Sequence, residues 1–371
     1  MSSSRRATPR APRARVRDAV RLAQRGALSA YGIVLRAGRE HDSVSELRRD
    51  PILRRWVIVA PERAGDVQSR RAGPVPPPDG SAPCPFCPGQ EHLNPAEIAT
   101  ASADDGWEIR VTPDKRPLLR IEGDPERRGA GMFDVMNAIG AHELVADTRA
   151  HDVTWADFST AHMARLLGMY RARFADLRRD RRFRHVFVLK NHGAAWSRYA
   201  HAHSHVIATP FTPKRLEEEL AGAREYHRMR ERCVFCDQLT EELRTGTRIV
   251  ARNRHFVTFT PFASEYPYEM WVAPLQHAAD FGGLADTALE PLADLLVDAL
   301  ARLRTTLDDP PYSLVLHAGP LDGGDQAEFH WHWELVPHLA HEIGMEWATG
   351  IFSNPVAPEE AARRLVAARP R

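Results

Sequence analysis

The chain lacks any run approaching the roughly 20 uninterrupted apolar residues that a membrane-crossing helix needs. Even residues 27–35 are short and bordered by arginines. It also lacks an apolar core followed by a small-residue cleavage site, so no secretory signal is read. Both absences lead to the expectation of a cytoplasmic protein with no membrane partner. Cysteine is scarce, with four in 371 residues, and all four fall in two pairs, Cys84-Pro85-Phe86-Cys87 and Cys233-Val234-Phe235-Cys236. In a reducing compartment such pairs are metal ligands more often than disulfides, because two thiolates three residues apart reach one ion from a tight turn.

Net charge is nearly absent too, at +1, but it is unevenly spread. Residues 1–40 carry ten arginines against Asp18 and Glu40, so this segment holds +8 and leaves −7 for the rest. A solvated, disordered Arg-rich extension over residues 1–44 is expected. The remainder, with 43% hydrophobic and 27% charged residues in the whole chain, has an ordinary globular composition. Its length suits two units, placed here at 45–215 and 216–371.

The two units repeat one another. After each cysteine pair comes a strand, Glu143-Leu144-Val145-Ala146 or Glu269-Met270-Trp271-Val272, and then a histidine eight residues past the glutamate, His151 or His277. An amphipathic helix follows, with apolar residues at helical spacing: Met163, Leu166, Tyr170, Phe174 and Leu177 in the first copy, and Leu289, Leu292, Leu296, Leu300 and Leu303 in the second. Each helix leads to a β-rich run, at 185–189 and 312–316, and a glycine-containing loop that opens into a histidine cluster. The clusters are His201/His203/His205 and His330/His332/Glu334. This order predicts an α+β fold of two repeats, each an antiparallel sheet with a long helix packed across it.

In the first cluster the histidines alternate, so on a strand three imidazoles line one face. Cys84, Cys87, His151 and His201 form a Cys2His2 set of the number and softness that tetrahedral zinc requires. Cys233, Cys236, His277 and His330 form the matching set in the second copy. With all four positions supplied by protein, both sites are expected to be structural.

The chain resembles the galactose-1-phosphate uridylyltransferase branch of the histidine-triad superfamily, and particularly its two-zinc hexose-phosphate nucleotidyltransferase and ADP-glucose phosphorylase-like relatives. The resemblance rests on Asp50-Pro51 with Arg55-Trp56-Val57-Ile58, on Cys-Pro-Phe-Cys-Pro-Gly, and on Lys190-Asn191-His192-Gly193-Ala194 before the histidine cluster. It rests further on Pro261-Phe262-Ala263, Tyr266-Pro267, and Glu346 with Thr349-Gly350. It implies that His203 is the nucleophile that attacks the α-phosphorus of a nucleotide sugar, with the carbonyl of His201 orienting its ring. It places Asn191, Gly193 and Ala194 beside the phosphates, Arg63 and Asp114 at the nucleotide, and Glu346 at the sugar hydroxyls. It implies a homodimer as well. The departures are His205, where the uridylyltransferases usually carry glutamine, and Asp114, where asparagine is expected.

The activity implied is transfer of a nucleotidyl group between UDP-glucose and a hexose 1-phosphate such as galactose 1-phosphate. The alternative is phosphorolysis or hydrolysis of a nucleotide sugar such as ADP-glucose through the same intermediate. A reading of another class, a zinc-stabilised nucleotide or nucleic-acid binding module, rests on the basic arm alone, and no nucleic-acid-reading module accompanies it. In the second copy His332 is equivalent to His203, but its neighbours Trp331, Trp333 and Glu334 argue against a second active centre.

Overall fold

The alternating apolar runs of both repeats pair into one antiparallel surface rather than two. In the computed structural model the described residues are 83–104, 106–193, 196–322, 326–339, 348 and 354–368, with the backbone of 46–49 and 56–59. Along the first repeat lie β1 (Glu46–Arg49), β2 (Trp56–Val59), β3 (Ala99–Ala103), β4 (Gly106–Pro113), β5 (Arg128–Ala130), β6 (Phe133–Asn137) and β7 (Ala141–Ala146). They are followed by α1 (Thr160–Leu177), β8 (His185–His192) and β9 (His203–Thr209). The second repeat has α2 (Lys214–Arg230), α3 (Val234–Thr245), β10 (Ile249–Arg252), β11 (Phe256–Phe259) and β12 (Met270–Pro274). It ends with α4 (Asp286–Leu307), β13 (Tyr312–His317), β14 (His332–Pro337) and α5 (Pro358–Ala367).

The large sheet has ten strands in the order β10-β11-β12-β14-β13-β8-β9-β7-β4-β3. Read from the middle outward, the halves match strand for strand, with β8 and β13 meeting at the centre. That central pair is antiparallel, with Ser313 opposite Asn191 and Val315 opposite Leu189. The repeats therefore share a sheet, and Val44–Arg371 forms one compact unit. A smaller sheet of order β2-β1-β6-β5 accompanies it.

One face of the large sheet carries the core. The α1 residues Met163, Leu166, Tyr170, Phe174 and Leu177 and the α4 residues Leu292, Leu296, Leu300 and Leu303 are buried there, as their helical spacing predicts. α1 starts at Ser159, whose side chain accepts from the His162 backbone N–H, a cap typically worth about 1 kcal/mol. Because side chains alternate along β9, Val206 and Ala208 enter this core, as does Ala202 just before the strand. The histidines between them are left to the opposite face.

Candidate functional site

The first cysteine pair sits in a turn closed by the Cys87 N–H donating to the Cys84 carbonyl at 3.2 Å. Cys87 Sγ lies 3.3 Å from His151 Nδ1 and 3.7 Å from His201 Nδ1, and Cys84 Sγ lies 3.6 Å from His201 Nδ1. The four donor atoms all lie within 4.8 Å of one another. His201 Nε2 donates to the Thr148 carbonyl at 2.7 Å. Its proton is therefore on Nε2, and the Nδ1 lone pair faces the sulfurs. Burial and the Cys84 sulfur push the Cys87 thiol up to about 11, so the Cys87 sulfur becomes a thiolate at neutral pH only if a cation compensates it. Donor number, softness and tautomer all fit a tetrahedral ion.

His203 follows two residues later and is 2% exposed. Its Nδ1 donates to the His201 carbonyl at 2.8 Å, which leaves Nε2 as the unprotonated nitrogen. Phe86, from the cysteine turn, stacks on its ring with centroids 5.3 Å apart, and Tyr199 meets it edge-on at 5.3 Å. Burial first, then the positive Lys190 and the neighbouring His205, hold the imidazole well below its ordinary pKa. Its buried ring is therefore neutral and nucleophilic.

Behind the strand lies a polar network that the sequence reading did not single out. Asp147, fully buried, accepts from Trp155 Nε1 at 2.7 Å, Ser204 Oγ at 2.6 Å and Lys190 Nζ at 3.2 Å. Lys190 also donates to the His203 carbonyl at 2.9 Å. Tyr170 Oη lies 2.6 Å from Ser204 Oγ. The network locks the backbone of β9 on either side of the His203 ring. Its one sequence trace was Lys190, the charge that directly follows the apolar run of β8 and opens the Lys190-Asn191-His192-Gly193-Ala194 motif.

Of the other expected site residues, Asn191 stands on the histidine face at the end of β8. Its Oδ1 accepts from Ser313 Oγ at 2.7 Å, and Ser313 Oγ in turn lies 2.8 Å from His338 Nε2. Ser313 and His338 belong to the second repeat, so that repeat orients the Asn191 amide and leaves its N–H2 group to face elsewhere. Gly193 has φ +90°, and a Cβ there would lie 2.6 Å from Pro311 Cβ, so both backbone and close approach require glycine. Asp114 and His205 are joined through His142, with His142 Nε2 3.0 Å from His205 Nδ1 and 3.7 Å from Asp114 Oδ2. Arg63, Ala194 and Glu346 lie outside the described residues.

The second repeat reproduces the metal set. Cys236 Sγ is 3.4 Å from His277 Nδ1 and 3.5 Å from His330 Nδ1, and His330 Nε2 donates to the Pro274 carbonyl at 2.9 Å. His332 again points Nδ1 at the carbonyl two residues back, at 3.2 Å. Its surroundings differ for a reason the sequence did not reveal. Trp331 and Trp333 alternate away into the core, where Ala202 and Val206 also go, and do not crowd His332. Trp271 covers it, stacked at 4.1 Å and 20°, and His317 stacks on it at 4.9 Å.

Strand register also revises the apparent match of Glu143 with Glu269. Leu144 pairs with His205 and Trp271 with Glu334, so Leu144 corresponds to Trp271 and His142 to Glu269. Glu143 instead faces α1 and takes a bidentate ion pair from Arg173 at 2.7 and 2.8 Å. The second repeat's histidine face carries a charged cluster. His317 lies 2.9 Å from Glu219 and 3.0 Å from Glu334, which also accepts from Arg215 at 2.8 Å. These carboxylates outweigh burial and lift His317 to about 9. Glu219, His317 and His332 also present their donor atoms within 4.8 Å of one another.

Comparison with known proteins accounts for both halves. The N-terminal domain of galactose-1-phosphate uridyl transferase matches residues 37–213, and its C-terminal domain matches 219–353. An ADP-glucose phosphorylase of Arabidopsis thaliana is 30% identical over 341 residues, covering 88% of this chain and 95% of the relative. A galactose-1-phosphate uridylyltransferase of Thermotoga maritima is 27% identical over 330 residues, covering 86% and 97%. Among solved structures, the Arabidopsis ADP-glucose phosphorylase with bound ADP-glucose superposes with a TM-score of 0.70 at 29% identity, covering 87% of this chain and 98% of that one. A uridylyltransferase structure gives 0.74 at 25% identity, covering 87% and 98%. With both of the family's domains matched in order along the chain, the protein belongs to the galactose-1-phosphate uridyl transferase family, a family of nucleotidyltransferases.

Proposed function

We propose that the protein moves a nucleotidyl group between phosphate esters in two displacements through His203, with UDP-glucose as donor and a hexose 1-phosphate such as galactose 1-phosphate as acceptor. The observation that carries this reading is the His203 ring, which is buried, neutral and bound through Nδ1 to the His201 carbonyl. Its Nε2 lone pair attacks the α-phosphorus, and the bond to the bridging oxygen breaks. The sugar 1-phosphate leaves with that electron pair. The Nδ1–H bond to the carbonyl stabilises positive charge on the ring during the attack. In the second displacement a phosphate oxygen of the acceptor attacks the same phosphorus, and Nε2 departs. The Asn191 amide N–H2 and His205 would donate to phosphate oxygens as charge builds on them.

Zinc would be held by Cys84, Cys87, His151 and His201, and by Cys233, Cys236, His277 and His330 in the second repeat. Its contribution would be a fixed link between the cysteine turn and the strand carrying the histidines. Gly193 and Ala194 would lie beside the phosphates, Arg63 and Asp114 at the nucleotide, and Glu346 at the sugar. The reading includes a cytoplasmic homodimer acting on soluble substrates.

A second reading, phosphorolysis of ADP-glucose, is supported by the 30% identical Arabidopsis relative and by His205 and Asp114, where uridylyltransferases usually carry glutamine and asparagine. One experiment tests both. The protein is incubated with UDP-glucose or ADP-glucose, and the covalent adduct is weighed by intact-mass spectrometry. A uridylyl adduct discharged by galactose 1-phosphate supports the first reading, and an adenylyl adduct discharged by inorganic phosphate supports the second. An adduct that persists in His203→Ala would sink both.

A further inference from the structure

The backbone N–H of Leu118 donates to His142 Nδ1 at 3.1 Å. A neutral imidazole carries one proton, so that of His142 is on Nε2. This nitrogen lies 3.0 Å from His205 Nδ1, a hydrogen-bond length, and His142 is therefore the donor and His205 Nδ1 the acceptor. It follows that His205 carries its own proton on Nε2. Asp114 reinforces this order. Its Oδ2 lies 3.7 Å from His142 Nε2 and favours a proton there, while its Oδ1 is held by the Arg116 N–H at 2.9 Å. His142 and Asp114 are 6% and 7% exposed, so water competes little for these bonds. The His205 ring stands 5.4 Å from that of His203 on the same strand face.

We propose that His142 is a positioning residue that fixes the tautomer of His205, so that His205 Nε2–H donates a hydrogen bond to a non-bridging oxygen of the α-phosphoryl group attacked by His203. The inference rests on the nucleophilic reading of His203. A strand histidine without such a partner divides between two tautomers, and one of them turns a lone pair toward an anionic oxygen. With His142 in place only the donating form is populated, and no proton changes hands. The second repeat has Glu269 and Glu334 at the corresponding positions, both acceptors when ionised, and cannot build the same donor.

Glutamine tests the idea, because its amide nitrogen carries hydrogens whatever its neighbour does. The single-turnover rate of nucleotidylation by UDP-glucose and ADP-glucose is measured in wild type, His142→Leu, His205→Gln and the double variant. His142→Leu should slow the wild-type background about 100-fold, the scale of one lost transition-state donor. It should slow the His205→Gln background less than about threefold, as expected of sites that are no longer coupled. The loss should fall on kcat rather than KM. Equal losses in both backgrounds would reduce His142 to packing and overturn the proposal.

A second readout needs neither turnover nor a variant. Nitrogen-15 NMR of histidine-labelled wild-type protein should show His205 as the Nε2–H tautomer, and an Nδ1–H form would refute the proposal. If neither nucleotide labels His203, the functional reading fails, and the NMR result still decides the tautomer.

Discussion

At His203 opposing influences bear on one imidazole. The carbonyl of His201 favours a proton on the ring, whereas burial and the nearby ammonium of Lys190 oppose a second one, and the latter two win. The nucleophile should therefore stay available where a free imidazole, with a pKa of about 6.5, would be losing its basic form. The single-turnover rate of nucleotidylation should hold level from about pH 8 to about pH 6 and fall only as pH drops through the lowered folded value. A decline centred on the ordinary histidine pKa would contradict this account.

The His317 prediction has the opposite sign. Its folded pKa is raised to about 9 by Glu219 and Glu334, against an unfolded value of about 6.5. The stability it contributes is fully present below the unfolded pKa and lost as pH rises through about 9. Melting temperatures taken between about pH 6 and about pH 10 should fall more steeply for wild type than for His317→Gln, which has no proton to lose. Parallel curves would show that the two carboxylates do not hold a charged imidazole.

At the scale of elements, β9 depends on what lies behind it. Asp147 is the common acceptor for Lys190, Ser204 and Trp155, and Lys190 ties that cluster to the His203 carbonyl. Removing the carboxylate leaves a buried ammonium without its counter-charge, a change that typically costs about 3–5 kcal/mol. Asp147→Ala should show this loss in urea unfolding and should also lower kcat, whereas Asp147→Asn keeps the shape and part of the hydrogen bonding and should lose less. Alternation predicted that the histidines share a face, but it gave no hint of Asp147, His142 or Ser313. The partner of each is set by strand order and not by local spacing. The exchange of Leu144 for Trp271 was hidden for a related reason, since the glutamates line up by spacing while the ladders pair one residue apart.

At the scale of the molecule, the two cysteine pairs should behave as equivalent metal sites with unequal consequences. Elemental analysis should return two zinc ions per chain, and Cys87→Ser and Cys236→Ser should each lose one. The first variant should also lose most nucleotidylation, because His201, which orients His203 through its carbonyl, shares that site. The second should lower the melting temperature and leave a larger share of activity. A full complement of metal in both variants, or equal activity losses, would contradict the division of roles.

The sequence alone determined the duplication, the two Cys2His2 sets and the histidine face of one strand. These follow from local spacing, which backbone geometry turns into direction with little help from the rest of the chain. Only the tertiary structure decided that the repeats join through β8 and β13 into one sheet, that Ser313 holds Asn191 from across that seam, and that Trp271 closes the second repeat. Those outcomes depend on which strands become neighbours and in what register. They are set by packing among segments far apart in the chain, by 122 residues for Asn191 and Ser313, which periodicity along the chain does not encode.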